Sequence, residues 1–555
     1  MTPEQLSATI VDVLTTLSEE GAIALPDGVP ATVTVERPRQ KGHGDYATNV
    51  ALQLAKKAGL NPREFASLVQ ARLQAAEGIS GVEVAGPGFL NISVDAGAQG
   101  VLAAEIVDAG ASYGHTETLG GQRINVEFIS ANPTGPLHLG HTRWAVVGDA
   151  VARVLEAAGA DVTREFYIND RGNQMNLFGA SIEAVALGKE VPQDGYQGGY
   201  VHDLAQTVLA DNPGILDLPE DERLIAFREA GYAVQLREQK EQLDVLQTHF
   251  DVWFSERSLH ESNDVVAGLE KLRTQGHLFD ADGALWMRTT DFGDDKDRVL
   301  VRTNGELTYF ASDTAYYVNK RERGFEVCIY LLGADHHGYV GRLKAMSACT
   351  GDDPEVNIEV LIGQMVKIMQ DGEEVKLSKR AGTLVTLGEL VDLIGVDALR
   401  YTLARYPSDT PLTLDVAEVT RQASENPVFY VQYVAARTAA ILRNAADLGL
   451  DSAKSEDFDP ALLAHEKEGE LLRALAEFPR VVASAAELRE PHRVARYLEQ
   501  TAGIFHRFYD NCRVLPMGDE EASDLHRARL LLVAATRTVF VNGLGLLGVN
   551  APERM

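Results

Sequence analysis

The sequence predicts an α/β protein that has a parallel central sheet, a small α/β domain before it and an all-helical domain after it. The chain has 555 residues, which is more than one hydrophobic core supports. A strand, a helix and a second strand follow one another within residues 123–168, an order that is typical of a parallel sheet. Beyond about residue 421, apolar residues recur with helical spacing only.

Residues 1–112 are expected to form the small α/β domain. Amphipathic helical patterns occur at residues 3–20, 46–59 and 62–76. Strand-like alternation occurs in "ATVTVERP" and in "GVEVAGPGFLNISVD". Helices and short strands in this mixture predict a compact unit that precedes the central sheet.

Residues 113–420 are expected to hold the parallel sheet. The helix "GHTRWAVVGDAVARVLEAAG" lies between the strands "RINVEFIS" and "DVTREFYI". A polar, glycine-interrupted helical insertion follows at about 170–256. Strand patterns then return in "GALWMRTT", "RVLVRTNGELTYF", "FEVCIYLLG" and "NIEVLIGQMVKIM".

Residues 421–555 are expected to form the all-helical domain. Two long helical patterns, "VFYVQYVAARTAAILRNAADLG" and "RARLLLVAATRTVFVNGLGLLG", occupy its ends. Between them, the acidic stretch "LDSAKSEDFDP" is typical of a solvated connector.

Composition narrows the class of protein. The formal net charge is −30, so a nucleic acid would bind only at a locally basic face. Cys328, Cys349 and Cys512 are odd in number and widely spaced, which favours a reducing cytoplasm over a disulfide framework. The acidic N-terminus and the lack of a long uncharged apolar run predict neither a signal peptide nor a membrane span.

Two histidines, His138 and His141, stand where the first strand of this region gives way to its helix. A zinc site would need further ligands at metal spacing, which the neighbouring sequence lacks. Two structural histidines are the other plain alternative. As functional groups, the imidazoles would donate hydrogen bonds to phosphate at a helix N-terminus, where Gly135 and Gly140 permit close backbone approach. Such donors stabilise the charge that grows when an α-phosphorus is attacked.

A second candidate motif, "VKLSKRAG", lies far along the chain and carries Lys376, Lys379 and Arg380 beside Ser378. Flexible cations of this kind suit a departing pyrophosphate. Alone, the stretch would be interpreted as a solvated charge run.

Together the two motifs resemble the HIGH and KMSKS elements of class I aminoacyl-tRNA synthetases, and nearly the whole chain resembles the arginyl enzymes. The stretches that carry the resemblance are "VEFISANPTGPLHLGH", "HGDYATNVA", "GPGFLNI", "YQGGY", "FDVWFSE", "LGADHHGYVGRLKA", "DALRYTLA", "NPVFYVQYVAAR" and "APERM". The departures are Leu139 for Ile, Leu377 for Met and Arg380 for Ser, and each keeps apolar bulk or adds positive charge.

The resemblance implies a Rossmann-type catalytic domain with insertions, between an N-terminal tRNA-contacting domain and a helical anticodon-binding domain. It implies a cytoplasmic monomer with no metal site of its own. Such an enzyme condenses L-arginine with ATP, accompanied by Mg²⁺, to arginyl-adenylate, and then charges the 2′-hydroxyl of the terminal adenosine of tRNA(Arg). It also implies that activation requires bound tRNA, an induced-fit arrangement.

The resemblance further assigns site residues by their position in matching motifs. The catalytic group comprises His138, His141, Lys376 and Lys379. The ATP-binding group comprises Gly135, Pro136, Gly140, Ser378, Arg380 and His336. The arginine-binding group comprises Glu127, Ser130, Asn132, Tyr309, Asp313 and Asp335, in which carboxylates suit the planar guanidinium.

The expected tRNA-binding residues lie in the two outer domains. Arginines interleave with aromatic side chains in the last domain, a pattern that suits unpaired bases, although each ring could equally belong to the helix core. The expected residues are Phe89, Asn91, Tyr430, Tyr433, Arg437, Arg493, Tyr497, Phe505 and Met555.

Two other functional classes stay open on the sequence. A small-molecule adenylyltransferase shares the His-x-Gly-His site but would be far shorter and would lack the helical domain. A non-catalytic tRNA-binding paralogue would be expected to lose one of the two nucleotide motifs, and this chain keeps both.

Overall fold

The N-terminal domain is a three-stranded antiparallel sheet packed against helices. In chain order its elements are α1 (Pro3–Glu19), β1 (Tyr46–Thr48), α2 (Val50–Leu54), α3 (Pro62–Leu73), β2 (Ile79–Ala85) and β3 (Phe89–Val94). The strand order is β1, β3, β2, and the sheet and helices enclose their own apolar core. The computed structural model describes residues 1–38, 43–262, 264–375, 385–450 and 459–555.

Two expected elements of this domain are wrong. The stretch "ATVTVERP" forms only an isolated bridge from Glu36 to Ala47, because the backbone N–H and C=O of Val33 both bond the hydroxyl of Ser7. The helix expected at residues 46–59 begins instead as strand β1, which pairs with β3, and only α2 is helical. In both places a tertiary partner overrides the local pattern.

The predicted parallel sheet is confirmed. In chain order, the elements of this region are α4 (Ala96–Ala109), β4 (Arg123–Glu127), α5 (Leu139–Ala157), β5 (Asp161–Ile168), α6 (Asn173–Ala186), α7 (Gly199–Asp211), α8 (Glu220–Val245), β6 (Val252–Ser255), α9 (Glu256–Glu261), α10 (Asp264–Thr274), β7 (Leu278–Ala281), β8 (Ala284–Met287), β9 (Arg298–Val301), α11 (Tyr309–Glu322), β10 (Val327–Gly333), α12 (Val340–Cys349) and β11 (Ile358–Gly363). Five parallel strands pair in the order β11, β10, β4, β5, β6. The chain leaves β4 toward β5 on one side and returns through β10 on the other. A crevice therefore opens at the carboxyl ends of β4 and β10, which is where open sheets of this kind bind ligands.

Smaller units surround the central sheet. Helices α6, α7 and α8 form the insertion between β5 and β6 and have a separate apolar core. Strands β7, β8 and β9 form an antiparallel sheet. After β11 the chain continues through β12 (Val366–Gln370), β13 (Glu373–Glu374), α13 (Leu387–Ile394), α14 (Val396–Ala404), β14 (Leu412–Asp415) and α15 (Val416–Val419).

The C-terminal part of the described chain is helical. Its helices are α16 (Pro427–Asp447), α17 (Glu466–Ala476), α18 (Phe478–Glu487), α19 (His492–Asn511) and α20 (Asp524–Leu546). Most of the acidic connector, residues 451–458, lies outside the described residues. By length and hydropathy α20 could cross a membrane, but it packs against α16 and α4 as the core helix of a soluble domain does.

Helix α4 packs with the large core although the expected boundary at residue 112 assigns it to the N-terminal domain. Its side chains Leu102, Ala103 and Ile106 join the core that contains the parallel sheet and the C-terminal helices. The buried residues of the N-terminal core end at Val94, and Ala98 in the first turn of α4 packs against them. The two cores therefore separate between β3 and α4.

Arg400 joins three separate parts of the chain. Its buried side chain donates to the carbonyl of Leu246, after α8, at 2.9 Å and to that of Leu547, after α20, at 3.2 Å. The same guanidinium pairs with Asp149 of α5. A Cβ at Gly548 would lie 2.0 Å from its Nη2, so the C-terminal chain closes tightly over this cation.

Candidate active site in the crevice between β4 and β10

A cavity of about 1090 Å³ occupies the crevice at the carboxyl ends of β4, β10 and β11. The N-termini of α5 and α11 border it. Most of the residues expected from the motifs line this cavity, namely Glu127, Ser130, Asn132, His138, Gly140, His141, Tyr309, Asp313, Asp335 and His336. Segments far apart in sequence therefore meet in one place.

His138 and His141 form a stacked pair at the N-terminus of α5. Their ring centroids are 3.8 Å apart. The Nδ1 of His138 accepts the N–H of Gly140 at 3.2 Å, and the Nδ1 of His141 accepts the N–H of His138 at 3.3 Å. Burial lowers the pKa of both rings, that of His141 to about 3. Both imidazoles are therefore neutral near pH 7, and these bonds leave the proton on Nε2 as a free donor.

A strained turn follows β4. Ile129 and Ser130 have φ of 69° and 46°, in the left-handed region that residues other than glycine rarely adopt. The hydroxyl of Ser130 donates to Glu127 Oε1 at 2.9 Å and accepts the N–H of Tyr167 at 3.2 Å. These bonds hold the turn, which brings Ser130 and Asn132 to the cavity.

Glu127 is already paired with a cation. Lys320 Nζ lies 2.6 Å from Glu127 Oε2, and the lysine side chain is fully buried. The ammonium also lies 3.9 Å from the ring centroid of Tyr330 and 4.4 Å from that of Tyr316. Sequence reasoning missed Lys320, although it follows Asp313 by seven residues and so occupies the same face of α11.

Asp313 differs from Glu127 because no cation is paired with it among the described residues. Its carboxylate accepts a hydrogen bond from the hydroxyl of Tyr339. Burial raises the pKa of Asp313 to about 7; Tyr339 lowers this pKa, and the nearby carboxylates of Glu127 and Glu256 raise it further. A cationic ligand that enters the cavity would supply the missing charge.

The other expected ligand residues occupy the rim of the cavity. Tyr309 is 66% exposed at the first residue of α11. Asn132 is exposed and donates to Gln174 Oε1 at 3.1 Å. His336 Nε2 lies 3.3 Å from Asp335 Oδ2, and both side chains are exposed. These exposed side chains can therefore contact a ligand at the mouth of the cavity.

Gly135 and Pro136 are not among the residues that line the cavity, and their place beside ATP stays a prediction. The carbonyl of Gly135 accepts a hydrogen bond from Gln239 Nε2 at 2.8 Å, so this stretch packs against α8.

Lys376, Ser378, Lys379 and Arg380 lie outside the described residues. The residues that flank this segment, Val375 and Val385, both line the cavity. Leu139 N donates to Val385 O at 3.0 Å, and Leu387 N donates to Leu137 O at 2.8 Å. The chain that follows the second motif is therefore bonded directly to the first.

The sequence also missed a tight contact in the wall of the cavity. The ring of Trp144 on α5 lines the cavity and packs against Gly363. A Cβ at Gly363 would lie 1.2 Å from a Trp144 ring atom, so only glycine fits there. Buried Arg143 next to it donates to the carbonyl of Gln364 at 2.7 Å. No local signal marks Gly363, because its role depends on a helix more than 200 residues away.

A separate cluster of rings and cations lies on α16 and α19. Tyr430, Tyr433 and Arg437 are half-buried, and the guanidinium of Arg437 lies 4.5 Å from the ring centroid of Tyr509. The ring of His506 lies 5.0 Å from that of Tyr430. We call these five residues the α16–α19 cluster.

The remaining expected tRNA-binding residues are divided by burial. Phe89 is 41% exposed, and Met555 and Arg493 are also exposed. Asn91 is mostly buried and bonds His43 Nδ1 at 3.1 Å.

Tyr497 and Phe505 are buried in the helical core, so the expectation that their rings stack on bases is wrong for this conformation. Tyr497 donates its hydroxyl to Ala474 O at 2.9 Å. Both rings lie on the inward face of α19, where they stabilise helix packing.

Three family models match the chain in order. "Arginyl tRNA synthetase N terminal domain" matches residues 4–94, "tRNA synthetases class I (R), catalytic domain" matches residues 104–401, and "DALR anticodon binding domain" matches residues 431–555. Among solved structures, a putative arginyl-tRNA synthetase from Campylobacter jejuni is 30% identical with a TM-score of 0.75, and the match covers 83% of this chain and 100% of that one. The Thermus thermophilus arginyl-tRNA synthetase, 22% identical over 100% of both chains, shares the fold with a TM-score of 0.74.

Curated relatives are more similar still. An arginine–tRNA ligase from Frankia alni is 57% identical over 555 residues, and one from Paenarthrobacter aurescens is 56% identical over 556 residues. Each match covers 100% of both chains. Because this identity extends from one end to the other and includes the cavity, the chain belongs to the arginyl-tRNA synthetase family.

Proposed function

We propose that the chain joins L-arginine to tRNA(Arg) in two steps that share the cavity between β4 and β10. In the first step ATP and arginine form arginyl-adenylate and pyrophosphate. In the second step the 2′-hydroxyl of the terminal adenosine takes the arginyl group and AMP leaves. The observation that supports this most is that one cavity holds a neutral histidine pair and, in Asp313, an acid with no paired cation among the described residues.

The histidine pair acts on the phosphates. An oxygen of the arginine carboxylate attacks the α-phosphorus, a P–O bond forms, and the bond to pyrophosphate breaks. Negative charge on the phosphate oxygens grows in this transition state, and the Nε2–H groups of His138 and His141 donate to it. Gly140 and His336 lie beside the nucleotide. Lys376, Ser378, Lys379 and Arg380 bind the leaving pyrophosphate, a role that the position of the flanking Val375 and Val385 supports.

The acidic end of the cavity binds arginine. The Asp313 carboxylate pairs with the guanidinium, and Tyr309 covers it at the mouth. Glu127 accepts a second hydrogen bond through the lone pairs that Lys320 and Ser130 leave free. Asn132, beside Ser130, binds the α-amino group, and Asp335 lies on the same rim.

Mg²⁺ enters this reaction with the triphosphate. Within the described ranges no three His, Cys, Asp or Glu side chains are grouped to hold a metal ion. Phosphate oxygens can supply most of its ligands, as is usual for Mg²⁺ in nucleotide sites. It neutralises phosphate charge there, while the side chains above orient the reactants.

The outer domains bind tRNA(Arg). The α16–α19 cluster offers half-buried rings and cations, which suit unpaired anticodon bases. Arg493 at the start of α19, Met555 and Phe89 of the N-terminal domain offer further exposed contacts. We expect the chain to act as a monomer. The three free, buried cysteines suit the cytoplasm.

The test is pyrophosphate exchange into ATP with each of the twenty amino acids, with and without tRNA(Arg). We expect exchange with arginine only, and only when tRNA is present. A small-molecule adenylyltransferase would exchange only when its own acceptor, which is not an amino acid, is supplied, and a non-catalytic paralogue would bind tRNA and exchange nothing. Either result, or exchange with a different amino acid, would reject the proposal.

A further inference from the structure

Helix α11 places two cations against two glutamates of the central sheet. Lys320 pairs with Glu127 of β4, and Arg323 pairs with Glu165 of β5 through two bonds of 2.7 and 2.8 Å. Glu127 and Glu165 are direct neighbours in the strand register. Of the four, only Glu127 lines the cavity.

The first pair determines how much charge the cavity offers to a ligand. Among the carboxylates that line the cavity, Glu127 and Asp313 are the two expected to contact the guanidinium, whereas Asp335 lies on the exposed rim beside His336. Lys320 matches the charge of Glu127 at 2.6 Å. No described lysine or arginine is paired with Asp313. Arg342 and Glu256 also act on Asp313 and carry charges of opposite sign. With these two groups included, the balance leaves one unmatched negative charge for one guanidinium.

We propose that Lys320 is a positioning residue of the arginine pocket, which neutralises and orients Glu127 so that Asp313 alone matches the charge of the guanidinium. This inference rests on the proposed function. Lys320 does not touch substrate, because its side chain is fully buried beneath Glu127, Tyr316 and Tyr330. Its two tyrosine neighbours form part of the cavity wall, so its position also fixes theirs.

Charge matching predicts a characteristic pattern among variants. Lys320→Met leaves the Glu127 carboxylate buried without its cation, and Glu127→Gln leaves the Lys320 ammonium unmatched near the guanidinium. Either single change disturbs the balance, whereas Lys320→Met with Glu127→Gln removes one charge of each sign. The double variant is therefore expected to be less impaired than either single variant.

The experiment measures kcat and KM for arginine and for ATP with tRNA present, after thermal melts have established folding. We expect each single variant to lower kcat/KM for arginine at least 100-fold, mainly through KM. We expect the double variant to recover at least 10-fold over Lys320→Met. KM for ATP should stay within threefold of wild type, because neither residue is near the histidine pair's phosphate side.

The second buried pair provides a matched control. Arg323→Lys weakens the two-bond contact with Glu165 from outside the cavity lining, and it keeps the Glu165 carboxylate, which accepts the hydroxyl of the cavity residue Tyr316. This variant should lower the melting temperature and leave KM for arginine unchanged. If it raises KM for arginine as much as Lys320→Met does, the effect is general destabilisation and the inference is overturned.

The pH profile supplies a second readout that a purely structural lysine would not change. Asp313 faces Tyr339, Glu127, Glu256, Arg342 and Tyr167. Loss of the Lys320 charge leaves Glu127 unscreened, which disfavours ionised Asp313. The acid limb of kcat/KM for arginine should therefore move to higher pH in Lys320→Met and return in the double variant.

Three results would overturn the inference while wild type remains active with arginine. They are a wild-type KM for arginine in folded Lys320→Met, strictly additive losses in the double variant, and an unmoved acid limb. If Lys320→Met does not fold, the comparison of Glu127→Gln with the double variant decides in the same way. A wild-type enzyme without arginine-dependent exchange would reject the proposed function itself, and this inference with it.

Discussion

The rings of His138 and His141 stack 3.8 Å apart while each Nδ1 accepts a backbone N–H at the start of α5. One side of each ring therefore caps the helix, and the other side carries a proton toward the cavity. Capping and catalysis use different nitrogen atoms of the same side chain. Substitution can separate the two roles.

Replacement of His138 by alanine or by asparagine should lower kcat for arginine activation by about 100-fold or more, the scale for loss of one transition-state donor. Asparagine is a good N-cap and should keep the melting temperature close to wild type, whereas alanine should cost about 1 kcal/mol of stability. Steady-state exchange kinetics and thermal melts check both statements. An active His138→Asn enzyme would show that the Nε2 donor is dispensable.

Asp313→Asn should lower kcat/KM for arginine by about two to four orders of magnitude. The amide keeps the size of the side chain but removes the charge that the guanidinium needs, and loss of one side of a buried charge pair costs about 3–5 kcal/mol. KM for ATP should hardly change, because Asp313 lies on the acidic side of the cavity and not beside the histidine pair. Separate titrations of arginine and ATP distinguish the two effects, and arginine kinetics within threefold of wild type would assign the guanidinium to another group.

Asp313→Asn should also make the enzyme without bound ligand more stable at alkaline pH. The pKa of Asp313 in the folded chain is about 7, above its ordinary value of 3.8. The buried carboxyl is therefore protonated at low pH, and the stability that this protonation provides is lost as the pH rises toward 7. Relief of the buried charge in Asp313→Asn is worth at most about 4 kcal/mol above pH 7 and little at pH 4. Melting temperatures of both proteins at pH 5 and pH 8 measure it. A difference that does not depend on pH would mean that Asp313 is ionised throughout.

Binding of tRNA should depend on the α16–α19 cluster and not on the buried rings of α19. Tyr433→Ala removes a half-buried ring, and loss of one stacked base costs about 1–3 kcal/mol. Tyr497→Phe is the matched control, since it removes only the hydroxyl that bonds Ala474 O inside the core. We expect weaker tRNA binding in the first variant and unchanged binding in the second, with strong salt dependence in both. Equal affinities for tRNA in filter-binding assays would place the anticodon elsewhere.

Hydrophobic periodicity in the sequence predicted the strands and the helix at the start of the central sheet. The alternation in β4 and β5 and the helical spacing of α5 located these elements closely, and parallel pairing followed from their order. The candidate residues of the cavity came from motif resemblance. Tyr339 and Gly363 could not be predicted, because each acts through a partner distant in sequence. The spacing of Lys320 from Asp313 indicated a shared helix face, but its ion pair with Glu127 of β4 is visible only in the fold. Tyr497 and Phe505 were misplaced because a sequence of rings and cations does not specify which face of a helix packs inward.

Arg400 makes the domain boundary in the sequence a poor guide to where the protein can be cut. Removal of the chain after residue 421 would take away the Leu547 carbonyl and strip the cover from a buried guanidinium that also holds Asp149 of α5. The truncated protein would be expected to unfold around the helix that carries His138, independently of any loss of anticodon contact. We therefore expect the catalytic and anticodon-binding parts to unfold together, and we expect domain exchange with a relative to succeed only if this junction is transplanted whole.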